Sequence, residues 1–120
     1  MDESTIVRQF LRLMESRDLA GAEALLAPEF VMVFPGAVMM HRLEELVAWS
    51  QSRYTKVVKS FDRIDVGDGY VFVSGMLSGE WRDGTGFAGI RYIDRFEVED
   101  GLIRRQEVWN DMAESLRRND

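Results

Sequence analysis

The stretch "GIRYIDRFEVEDG", Gly89 to Gly101, contains the residue type and spacing most suggestive of chemistry. Read with a period of two, Ile90, Tyr92, Phe96 and Val98 share one face of a strand, and Asp94 stands among them. Arg91, Ile93, Arg95 and Glu97 share the other face. A carboxylate inside an apolar stripe costs several kcal/mol unless it is paired, hydrogen-bonded or neutralised. Asp94 therefore reads in one of two ways. It is a carboxyl that donates a hydrogen bond or moves a proton in an apolar pocket, or it is half of a buried ion pair. Arg105, on the neighbouring strand, is the natural partner for the second reading.

The last strand carries a second anomaly. Ile103, Arg105, Glu107, Trp109 and Asp111 share one parity, and Leu102, Arg104, Gln106, Val108 and Asn110 share the other. Slipping the register by one residue exchanges the two faces. His41 is the only histidine, and histidine is the commonest general base near neutral pH. It lies in "AVMMHR", read as a loop with no fixed partner for the imidazole. Trp49, Tyr54, Trp81 and Trp109 read as core or dimer surface ahead of ligand platforms. Met32, Met39 and Met40 suit an adaptable apolar wall or fill gaps in the core.

The elements that must position these residues follow from periodicity. Glu3 to Glu15 reads as an amphipathic helix, with Ile6, Val7, Phe10, Leu11, Leu13 and Met14 at helical spacing. Asp18 caps a second helix, Leu19 to Leu26, which Pro28 ends. Phe30 to Phe34 is a short strand closed by Pro35-Gly36, and Leu43 to Tyr54 is a third helix. From Val57 the period shifts to two, giving strands Val57 to Val66, Tyr70 to Trp81, Phe87 to Val98 and Leu102 to Asp111. Gly67-Asp68-Gly69, Asp83-Gly84-Thr85-Gly86 and Asp100-Gly101 supply hairpin turns between them. Met112 to Asp120 reads as a frayed tail. Helices followed by long hairpins predict an α+β fold, with N-terminal helices packed on a strongly curved antiparallel sheet that forms a cone around an apolar interior.

Composition narrows the function. The 120 residues suit one domain, 1–120, with 46% hydrophobic and 30% charged residues. A net charge of −6 with scattered basic residues argues against a nucleic-acid surface. Arg104-Arg105 and Arg117-Arg118 are the basic doublets and read as solvated surface. No run is apolar enough to span a bilayer, and the acidic opening Met1-Asp2-Glu3 does not read as a signal peptide. A cytoplasmic location is the expectation. With no cysteine, thiolate chemistry and cysteine-type zinc sites are excluded. One histidine among scattered carboxylates makes no transition-metal site, and no phosphate loop, dinucleotide fingerprint or nucleophile elbow occurs. No cofactor is implied.

Three strings, "LLAPEFVMVFPG" from Leu25, "YIDRFEVEDGLI" from Tyr92 and "EVWNDMAE" from Glu107, resemble the NTF2-like superfamily, also called cystatin-like, which includes ketosteroid isomerases and SnoaL-like polyketide cyclases. The resemblance spans nearly the whole chain. It implies a pocket lined by Phe10, Met14, Phe34, Trp49, Tyr92, Phe96, Arg105, Glu107 and Trp109, with the odd face of the last strand turned into the cone. Asp94 falls where the isomerases place an aspartic acid that donates to the steroid oxygen; the buried neutral acid of that enzyme is a general example of pKa tuning. The isomerases' partner tyrosine falls at Phe10 and their general base at Phe34, so the steroid isomerase mechanism is not expected. The resemblance to SnoaL-like cyclases implies an acid/base aspartate and histidine in the cone, one of them near the end of the last strand, where Asp111 is the best match. Asp94, Asp111 and His41 are thus the candidate catalytic residues.

Two functions remain open. One is a cofactor-free isomerase or cyclase acting on a small carbonyl compound by acid/base chemistry. The other is a non-catalytic ligand-binding or interaction domain. Both imply a small apolar or carbonyl-bearing partner and neither involves nucleic acid or membrane. The resemblance also implies a homodimer, with Arg91, Ile93, Arg95 and Glu97 contributing to the shared outer face of the sheet.

Overall fold

The computed structural model of the chain describes residues 2–118, with side chains described as far as residue 116. Three helices and a short strand pair precede the hairpins: α1 Glu3–Glu15, α2 Leu19–Glu23, β1 Leu26–Phe34, β2 Val38–Met40 and α3 Leu43–Gln51. Then follow β3 Tyr54–Lys59, β4 Arg63–Val66, β5 Tyr70–Trp81, β6 Gly86–Glu99, β7 Leu102–Asn110 and a last helix, α4 Met112–Arg118. The strands form one strongly curled sheet in the order β2-β1-β7-β6-β5-β3, with β4 also paired to β5.

α1 lies across the concave face. Ile6, Val7, Phe10 and Leu11 are buried there, as the helical spacing requires, against a core that includes Val71, Val73, Phe96 and Val98. Each such side chain stabilises the fold by about 1.5–3 kcal/mol. Asp2 starts the helix by accepting from the Thr5 N–H at 2.8 Å, and Asp18 caps α2 by accepting from the Gly21 N–H at 3.0 Å. The Asp100-Gly101 turn has positive φ at both residues, the geometry of the tightest hairpins.

Several elements differ from the sequence reading. The sheet is mixed: β1 runs parallel to β7, with Val31, Met32 and Val33 opposite Arg105, Gln106 and Glu107. That pairing joins the N-terminal half of the chain to its last strand, a non-local contact that periodicity does not reveal. α2 stops at Glu23, and β1 already starts at Leu26. Pro28, which has no N–H to give a ladder, sits where the β1–β7 register shifts between Leu26 and Val31. Val38–Met40 is a strand paired to β1, Met32 opposite Met40, and not loop. α3 ends at Gln51, so Tyr54 belongs to β3. Met112–Arg118 is helical, anchored by the buried Met112, whose N–H donates to Asn110 Oδ1. The final two residues of that expected tail and the side chains of Arg117 and Arg118 lie outside the described residues.

Two further differences decide the site. The expected strand Val57 to Val66 bends at Ser60–Asp62, separating β3 from β4 although both pair with β5. In β7 the pairing steps from Glu97↔Arg105 to Val98↔Ile103, so Arg104 is an extra residue. This bulge changes the parity of the strand. Ile103 faces the core, but beyond the bulge Gln106 and Val108 are the buried residues, while Arg105, Glu107 and Trp109 face outward. Among the described residues no helix is long and apolar enough to cross a membrane.

Candidate functional site

Asp94 stands at the middle of β6, opposite Val73 on β5 and Val108 on β7. Strand alternation turns it to the concave side with Ile90, Tyr92, Phe96 and Val98, and its side chain is 0% exposed. Its cation is not Arg105. Lys59, the last residue of β3, donates from Nζ to Asp94 Oδ2 at 2.5 Å and keeps 21% of its side chain accessible. Lys59 Nζ also lies 4.8 Å from the centroid of the Tyr92 ring. The Tyr92 hydroxyl donates to Ser60 O at 2.6 Å, which fastens the bend immediately after Lys59. The bend thus directs the lysine inward and is held by a side chain of the same site.

Burial pushes the Asp94 carboxyl above its usual range, while the charge and hydrogen bond of Lys59 oppose that push without cancelling it. Gln106, nearby on β7, also pulls the carboxyl down. Asp94 Oδ1 and Gln106 Oε1 are nevertheless buried without a hydrogen-bond partner. The Tyr92 phenol is held above its ordinary value, first by burial and then by the Asp94 charge.

Asp94 itself lines no interior space, whereas Lys59 does. Lys59 lines a cavity of about 100 Å³ whose apolar wall comes from Phe10, Leu11 and Met14 of α1, Phe34 of β1, Leu46 of α3 and Val57 of β3. Gln106, Ser50 and Tyr54 add polar groups, and the exposed Glu15 and Arg17 border the cavity at the end of α1. A second space of about 40 Å³ shares Phe34, Tyr54, Val57 and Lys59 and continues along Trp49, Tyr92 and Val108. Phe34 and Trp49 meet edge-on, ring centroids 5.3 Å apart, between the two. The arrangement offers an oxygen-bearing apolar molecule the Lys59 ammonium in a mainly apolar wall that also carries Ser50, Tyr54 and Gln106.

The expected site residues divide accordingly. Phe10, Met14 and Phe34 line the larger cavity, and Trp49 and Tyr92 the smaller. Phe96 is fully buried beneath Phe10, with ring centroids 6.1 Å apart. Arg105, Glu107 and Trp109 are outside the cone, because the Arg104 bulge reverses the strand. Arg95 there bonds Glu97 at 2.9 Å and Glu107 at 2.6 Å, with Arg105 Nε 3.6 Å from Glu107. Asp111 pairs with Arg91 at 2.5 Å on that side and lines neither cavity. His41 is exposed before α3, where its backbone N–H donates to Glu45 Oε1. Among the described residues no group of three or more His, Asp or Glu could hold a metal ion.

Lys59, Gln106 and Glu15 were not legible as site residues. Lys59 left one sequence signal: it shares the parity of Val57 in a strand whose other lysine, Lys56, alternates away.

Fold and site together define a small α+β cone with a polar pair at the floor of an apolar interior. The SnoaL-like domain matches residues 7–106, and the chain belongs to that family. No curated protein sequence matches it. Among solved structures, an NTF2-like protein of unknown function from Burkholderia pseudomallei is 20% identical and superposes with a TM-score of 0.84, covering 95% of this chain and 94% of that one. Wild-type IdmH from Streptomyces antibioticus, a proposed polyketide cyclase, is 18% identical with a TM-score of 0.83 and 99% of each chain covered. A proposed SnoaL-like polyketide cyclase from Jannaschia sp. CCS1 is 16% identical with a TM-score of 0.74, covering 95% of this chain and 90% of that one. At these identities the likeness establishes the shared fold.

Proposed function

We propose that this SnoaL-like protein binds a small carbonyl compound in its apolar interior and acts on it without a cofactor, by proton transfer, as an isomerase or cyclase. The observation that carries the reading is Lys59, an ammonium group held by the fully buried Asp94 and presented to a mainly apolar cavity. Such a donor is of use to an oxygen. It polarises a carbonyl and stabilises the negative charge that develops there when a neighbouring carbon loses its proton. Asp94 fixes the position of Nζ. Glu15, which borders the cavity and accepts from the Lys59 backbone N–H at 3.4 Å, is the carboxylate available to take that proton.

The test is hydrogen–deuterium exchange at the α-carbons of butanone, followed by NMR. The wild-type protein should accelerate exchange at least about tenfold over buffer, and Lys59→Met should abolish the gain. Equal rates for the two proteins would sink the proposal.

A non-catalytic ligand-binding domain is the second reading. Phe10 and Phe34 favour it, since both line the cavity and the resemblance sets them where the isomerases' tyrosine and general base fall. Saturable quenching of tryptophan emission by butanone, without exchange, would decide for it. Under either reading the proposal includes a homodimer formed through the outer face of the sheet.

A further inference from the structure

The chain holds fifteen basic residues, of which two, Lys56 and Lys59, are lysines. Lys56 is exposed, whereas Lys59 is the cation that meets Asp94 and lines both interior spaces. A guanidinium would serve the ion pair at least as well, since its planar fork matches a carboxylate. An arginine, however, stays protonated, whereas a lysine can pass its proton on and become a nucleophile.

We propose that Lys59 Nζ is a nucleophile that condenses with an aldehyde or ketone carbonyl in the cavity to form an imine, with Asp94 carrying the protons. The inference rests on the carbonyl-binding reading above and specifies how Lys59 activates the carbonyl. Lys59 first gives a proton to Asp94 Oδ2, its partner at 2.5 Å. The free amine attacks the carbonyl carbon, a C–N bond forms, and the π pair moves to oxygen. Asp94 protonates that oxygen and then recovers a proton from nitrogen, giving a neutral carbinolamine. Asp94 returns this proton to the hydroxyl, which leaves as water, and the nitrogen lone pair completes a protonated imine. The sum is ammonium plus carbonyl giving iminium plus water, with no oxidant or reductant.

Three features support the step. Asp94 is fully buried, and burial makes its carboxyl a readier proton acceptor than an ordinary aspartate. Its Oδ1 accepts no hydrogen bond within 3.5 Å from the described residues, which leaves a second oxygen to exchange protons with the adduct. The surrounding wall of Phe10, Phe34 and Val57 limits water that would hydrolyse the imine.

Butanal with sodium cyanoborohydride near neutral pH traps an imine as a stable butyl-lysine, and peptide mapping assigns it. Lys56 is the internal reference, exposed and on the same strand. The expected result is butylation of Lys59 exceeding that of Lys56 by about tenfold or more, against the order that exposure alone dictates. Asp94→Asn should bring the ratio down to one or below, and an unchanged ratio would remove Asp94 from the scheme. If that variant does not fold, the wild-type ratio alone decides. A wild-type ratio at or below one overturns the proposal. If butanone exchange nevertheless persists, Lys59 acts by hydrogen bonding and the carbonyl reading survives; if exchange is also absent, both fall.

Discussion

Burial and pairing pull on the Asp94 carboxyl in opposite directions, and Lys59 is the larger of the forces that keep it charged. Lys59→Met removes that force and leaves burial to act. A carboxyl whose folded pKa is raised stabilises the fold fully below its unfolded pKa, and this contribution is lost as pH rises through the folded value. Lys59→Met should therefore cost little near pH 4 and about 3–5 kcal/mol near pH 8, the range for breaking a buried pair. Urea denaturation across that range measures it. Adding Asp94→Asn should flatten the slope, and a cost independent of pH would contradict the assignment. Arg105 offers a contrasting expectation. Its side chain is a third exposed and meets Glu107 and Glu97 on the outer face, at 3.6 and 3.9 Å. Arg105→Ala should cost less than about 1 kcal/mol. Combined with Asp94→Asn it should be additive, because the two residues lie on opposite sides of the sheet.

The position of Lys59 depends on the bend between β3 and β4, and that bend depends on a glycine of β5. A Cβ at Gly75 would lie 2.2 Å from Ser60 O, the carbonyl that accepts from Tyr92. Gly75→Ala must push the bend away from β5. Overpacking of this kind costs about 1–3 kcal/mol. The lysine should move with Ser60, so butanone exchange should fall even where thermal unfolding shows a folded protein. Full exchange in Gly75→Ala would show that the bend does not set the site. The Arg104 bulge in β7 has comparable reach: one extra residue decides whether Arg105, Glu107 and Trp109 or Gln106 and Val108 face the interior.

For the whole molecule, we propose the outer face of the sheet as the surface that meets a second copy of the chain. Ile93 and Trp109 are register neighbours on β6 and β7, 39% and 50% exposed, with Met76 and Tyr70 also uncovered nearby on β5. Beside them stand Arg95 and Arg105 with Glu97 and Glu107, charges of both signs in one patch. A two-fold axis through such a patch buries the apolar residues and lets arginine meet glutamate of the other copy. Sedimentation at micromolar concentration should give a species of about twice 13.8 kDa, and Trp109→Glu should shift it to the monomer. A wild-type protein that sediments as a monomer would contradict the homodimer.

Much of the fold was legible in the chain because it rests on local rules. The amphipathic spacing of Ile6, Val7, Phe10 and Leu11, the cap at Asp18, the glycine turns and the alternation around Asp94 each depend on neighbours a few residues away. The same alternation announced that Asp94 is buried, and the three quoted strings pointed to the family. The partner of Asp94 was not legible. Lys59 is 35 residues away and reaches it only because β3 and β6 both pair with β5 and a bend turns the lysine inward. Nor could periodicity reveal the bulge at Arg104, since an inserted residue leaves both parities looking regular while it exchanges their faces. Residue types and local period determined what would be buried. Strand pairing across distant parts of the chain decided what meets there, because those contacts form only when the sheet closes.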